Sequence, residues 1–111
     1  MKPPLSRVKR PKTAQEYVDL VEQALFEIEE LRMAAEYDME SLGAAMKFVD
    51  ELEHEVRALR AAMADGSYQF GRHDLPFMAL VDKQSHHALP FKYLFKVINE
   101  THKHGLDVES D

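Results

Sequence analysis

The sequence predicts an all-α, bundle-like chain: a long N-terminal helix or helical hairpin, then two short helices. Three observations carry that prediction. A helix start is written at Thr13-Ala14-Gln15-Glu16. Apolar residues then recur at the seven-residue interval of packed helices over about 50 residues. A Leu-Pro-Phe start occurs twice in the last third, and no second strand candidate exists to pair with Tyr68-Gln69-Phe70.

The chain has 111 residues, enough for one domain. Its net charge of −6 is unevenly spread. Residues 1–12 hold Lys2, Arg7, Lys9, Arg10 and Lys12 and no acid, and Pro3, Pro4 and Pro11 obstruct helix there. They read as a basic flexible arm, and residues 13–111 as a single helical domain. That remainder sets nine Lys/Arg against 20 Asp/Glu, a net of −11. Such a surface repels phosphate backbones, so only the arm attracts nucleic acid strongly. There is no cysteine, which removes disulfides, thiolate nucleophiles and Cys-based metal sites and fits a cytoplasmic protein. No apolar run reaches the length of a membrane span, and the charged N-terminus lacks the apolar stretch of a secretory signal.

The helix start is a capping box. Thr13 is placed to accept from the Glu16 amide, and the Glu16 carboxylate to return to the Thr13 amide. From there Val21, Ile28, Ala35, Leu42, Val49, Val56 and Met63 fall at intervals of seven. Val18, Leu25, Met39 and Met46 form a companion row, which Arg32, Glu53 and Arg60 interrupt. Leu31, Leu52 and Leu59 carry the stripe over the gaps, and Phe26, Met33, Tyr37, Ala44 and Phe48 form a second apolar strip beside it. Asp65-Gly66 supplies the stop. Two geometries satisfy this seam. One is a continuous helix over 14–64, about 75 Å long; preserved phase and the absence of proline favour it. The other is a hairpin bent within Tyr37–Gly43, where Asp38 or Ser41 can cap a second helix.

Residues 65–73 form a turn-rich connection. Leu75-Pro76-Phe77 then recurs as Leu89-Pro90-Phe91, each Pro suited to an opening helical turn. The spacing predicts helices over 75–84 and 90–103, with Gly105 just past the second. Phe91, Leu94, Phe95 and Ile98 make its buried face, widened by Tyr93 and Val97. An aromatic notch between the two Leu-Pro-Phe copies is a candidate peptide site.

Three functional readings follow. The favoured one is a non-enzymatic helical oligomerisation or adaptor module, a homo-oligomer with a dimer as the first expectation, or a module that binds another protein partner, with no cofactor. Val21, Leu25, Ile28, Leu42, Met46, Val49 and Val56 are its core or interface. The case is excess apolar surface, because two short helices cannot sheath one of about 75 Å. The second is a metal-binding protein or metal-dependent enzyme. Glu51 and His54 have the Glu-x-x-His spacing of carboxylate bundles, and in a hairpin Glu27 and Glu30 stand on the facing helix. These four fall beside the seam rather than on it, which weighs against inward-pointing ligands. The third is a small nucleic-acid accessory protein using Arg7, Lys9 and Arg10 of the arm and a face of Lys92, Lys96, Asn99 and Lys103. No hydrolytic motif marks Ser67, Ser85 or Thr101, and glycine-rich phosphate loops are absent.

Overall fold

The first helix starts where its capping residues stand. The Glu16 amide donates to the Thr13 hydroxyl at 3.1 Å. The Glu16 carboxylate accepts from the Lys12 amide at 2.8 Å, one residue earlier than the expected Thr13 amide. The computed structural model describes residues 10–37, 42–85 and 89–107, with the side chains of 35–37 and 42–45 outside that description. Among the described residues there are four helices and no strand: α1 (Ala14–Tyr37), α2 (Leu42–Asp65), α3 (Met78–Val81) and α4 (Lys92–His104).

The continuous helix over 14–64 does not form. α1 and α2 are separate and antiparallel, with Arg32 bonded to Asp50 at 2.7 Å and to Glu53, and Arg60 to Glu22 at 3.0 Å. The hairpin wins because it brings Val21, Ala24 and Ile28 against Val49, Leu52 and Val56, all essentially sealed from solvent. A straight helix leaves each half of that row without the other. Leu25 and Met46 flank the sealed row and are half-buried. Leu42 opens α2, and its side chain lies outside the described residues. The seam is therefore largely spent inside one chain, and the argument that a 75 Å helix lacks cover falls away.

Gly66, with φ 82°, ends α2 in the left-handed region, and Asp65 Oδ1 accepts from the Ser67 amide at 2.8 Å. The two Leu-Pro-Phe copies make the same turn. Leu75 O accepts from Met78 N at 3.0 Å and Leu89 O from Lys92 N at 3.1 Å; Phe77 O accepts from Leu80 N and Phe91 O from Leu94 N, both at 3.0 Å. Only the second copy propagates into a long helix. The first stops at Val81 because Asp82-Lys83-Gln84 offers nothing apolar to bury, so the predicted helix over 75–84 reduces to one turn. The notch expected between the copies is filled. Phe95 lies 5.4 Å from Phe77 and 5.5 Å from Phe91, centroid to centroid. Tyr93, expected to widen the buried face, is exposed instead.

α4 lies antiparallel along α1. The Tyr17 hydroxyl reaches Ile98 O at 3.1 Å, and Pro11 O accepts from Asp107 N at 2.8 Å. Arg10 Nε donates to Gly105 O at 3.2 Å, a cation at the negative end of a helix. The arm drawn to residue 12 is thus anchored from Arg10 onward.

Candidate functional site

The most built polar arrangement joins α1, the connector and α4. Tyr17 is 3% exposed. Its hydroxyl donates to Ile98 O, an acceptor only, so its oxygen is left to accept from Tyr68 at 3.0 Å. Tyr68 has then spent its proton and must accept from His102 Nδ1 at 2.7 Å. The chain of donors puts a proton on Nδ1 of His102. His102 Nε2 faces Gly71, where a Cβ would stand 3.2 Å away, and Gly71 N donates to His102 O. Burial pushes Tyr17 far above the usual phenol range, aided by Tyr68, and burial also raises Tyr68 and lowers His102. Phe70 stacks on Tyr17 and closes the cluster edge to Tyr68. With every hydroxyl paired inward, the arrangement pins the connector.

A second buried lock works beside it. Asn99, expected on an open basic face, is 5% exposed. Its oxygen accepts from Leu75 N at 2.8 Å and its amide donates to Asp74 at 2.9 Å. Asn99 and then Lys103 hold the Asp74 carboxyl below the usual carboxylate range. Lys103 pairs with Asp74 at 3.1 Å, and Lys92 Nζ donates to Gln84 O at 2.7 Å. Two of the three lysines proposed for nucleic acid thus hold the connector and the α3–α4 link, and Lys96 is half-buried beside them. Arg10 is engaged at Gly105, whereas Arg7 and Lys9 lie outside the described residues. Sequence reasoning missed Tyr17, Tyr68 and Asn99 as polar anchors, because their partners lie 24 to 81 residues away and no local motif joins them.

The four residues considered for metal do not converge. Glu30, Glu51 and His54 are exposed, and Glu27 accepts from Gln23 at 2.8 Å on its own helix. Among the described residues no three metal-capable side chains come together. The buried row runs between the helices, so residues beside it turn to solvent.

Two surface features remain. On α1, Phe26 is 57% and Met33 51% exposed, two turns apart on one outer face. Asp19, Glu22, Glu29 and Glu30 rim that face. On the other helix, an open cleft of about 460 Å³ lies between Asp50, Glu51, His54 and Glu55 of α2 and Pro76, Ala79 and Leu80. One wall is acidic and the other apolar.

The class defined by this fold is an all-α protein built on a helical hairpin braced by a third long helix and one helical turn. No family model matches the chain, and no curated protein or solved structure matches it either. No helix among the described residues is long and apolar enough to cross a membrane.

Proposed function

We propose that this chain is a non-enzymatic helical assembly module that pairs with a second copy through the outer face of α1. The observation that carries the reading is the exposure of Phe26 and Met33. The hairpin has buried Val21, Ala24 and Ile28 of α1, yet two large apolar side chains lie two turns apart on its opposite face. Large apolar side chains left exposed on one face of a helix support a protein contact there. The rim acids are partly neutralised from within the chain, Glu22 by Arg60 at 3.0 Å and Glu29 by Arg32 at 3.8 Å. Asp19 and Glu30 keep a residual like-charge repulsion between copies, so moderate salt tightens the pairing. Light scattering at high micromolar concentration tests it. The expected result is a dimer for the native chain and a monomer with unchanged helical circular dichroism for Phe26→Glu/Met33→Glu. A native chain that stays monomeric at every concentration overturns the reading.

A further inference from the structure

We infer that the cleft between α2 and the first Leu-Pro-Phe turn takes the basic segment 1–9 of a second copy of this chain. The inference rests on the assembly reading and adds a second, charge-driven contact to it. One wall of the cleft offers Glu51, Glu55 and Asp50, with His54 between them. Asp50 is engaged by Arg32, whereas Glu51, His54 and Glu55 have no hydrogen bond or ion pair among the described residues. The facing wall is Pro76, Ala79 and Leu80. The matching ligand carries cations to meet the carboxylates and small apolar groups to cover Leu80 and Ala79.

The chain itself contains such a segment. Residues 1–9 hold Lys2, Arg7 and Lys9 with no acid, and Leu5 and Val8 between the charges. Pro3 and Pro4 restrict the backbone before binding, which reduces the entropy lost on ordering. The rest of the sequence is strongly acidic, so no other stretch of this chain offers the same complement.

Reach keeps the Arg7 and Lys9 charges out of the cleft of the same copy. Arg10 is held at Gly105, beyond the α1 start, since Ile98 of α4 already stands at Tyr17. The cleft lies at the level of Arg32, which bonds to Asp50. From Ala14 to Arg32 the helix rises about 27 Å. Arg7 is three residues from Arg10, a span of at most about 11 Å when fully extended. Arg7 and Lys9 therefore cannot bring their charges to Glu51 and Glu55 within one chain, and a neighbouring copy supplies them.

The absence of cysteine makes the test direct. A full-length Ser6→Cys chain is mixed with a full-length Ala79→Cys chain under mild oxidation, and both masses are followed by light scattering. The expected result is a mixed disulfide between the two variants. Its yield falls several-fold in high salt, or when Glu51→Lys/Glu55→Lys is added to the Ala79→Cys chain, while the mass stays dimeric. No mixed cross-link from dimeric protein overturns the cleft assignment and leaves the assembly reading standing; a cleft that serves a basic segment of another protein gives this outcome. A cross-link insensitive to salt and to the charge reversal also overturns it. So does a Ser6→Cys/Ala79→Cys double variant that closes its disulfide inside a monomer. Monomeric protein throughout removes both readings together.

Discussion

His102 ties a helix, a connector and a phenol network to one ring. Its neutral form donates from Nδ1 to Tyr68, and its Nε2 lies against Gly71. Protonation would place charge at Nε2 in a desolvated position, which is why burial lowers its pKa. The unfolded ring titrates at about 6.5, so below that pH the unfolded chain takes up the proton before the folded one does. The contribution of His102 is fully present above that value and is lost as pH falls through the folded pKa. The Glu53 and Asp74 carboxyls are held below the usual carboxylate range and titrate at lower pH. The melting temperature of the native chain is expected to fall between about pH 7.5 and pH 5, and His102→Gln should flatten that slope. Parallel pH profiles for the two proteins would remove His102 as the cause. Tyr17 belongs to the same network but, with its phenol pushed far above the usual range, adds no titration here.

Among the elements, the hairpin carries the lesson about what the sequence made readable. Seven-residue spacing located the buried row: Val21, Ile28, Val49 and Val56 are sealed. The same spacing could not tell a straight helix from a folded one, because two antiparallel helices present matching rows and the reversal between Tyr37 and Leu42 preserves the phase. The decisive signal lay in the residues that seemed to spoil the pattern. Arg32, Glu53 and Arg60 break the companion row, and in the fold Arg32 pairs with Glu53 while Arg60 pairs with Glu22. The interruptions are the hairpin's own cross-links. Single-sequence reasoning also placed the caps at Thr13, Gly66 and Gly105, since capping chemistry is local. It placed Asn99 on the wrong face because its partners, Asp74 and Leu75, come from a connector without periodicity. Glu53 is well shielded and also accepts from Arg57 at 2.7 Å, the first cause of its lowered pKa, with Arg32 contributing. Glu53→Ala should therefore cost about 1–2 kcal/mol, between the exposed and buried extremes for ion pairs. Adding Arg32→Ala should cost less in that background than in the native one, as measured by urea denaturation of the four-member cycle. Strictly additive effects would mean the two side chains do not couple across the hairpin.

For the whole molecule the question is whether the hairpin and the C-terminal third are one folding unit. The apolar core answers that they are, because Ile28, Val49 and Leu52 of the hairpin belong to the same buried cluster as Phe77, Leu89 and Phe95. Polar ties cross the same boundary: Tyr17 to Ile98, Pro11 to Asp107, and Arg10 to Gly105. An antiparallel helix pair alone buries one side of each helix, and α4 adds cover to α1 at Tyr17, whose hydroxyl reaches Ile98 O. The chain has no tryptophan and four tyrosines, of which Tyr17 and Tyr68 sit at the junction. Tyrosine fluorescence therefore reports the docking of α4 and the connector, whereas circular dichroism is dominated by α1 and α2. In urea the two signals are expected to share one midpoint. Phe95→Ala opens the contacts to Phe77 and Phe91 and should move both midpoints down together, by about 3–5 kcal/mol, a large fraction of a small domain's stability. If instead the tyrosine signal is lost while most helical signal persists, the hairpin stands without its brace. The α4 contacts would then be an attachment to a folded pair rather than part of what folds it.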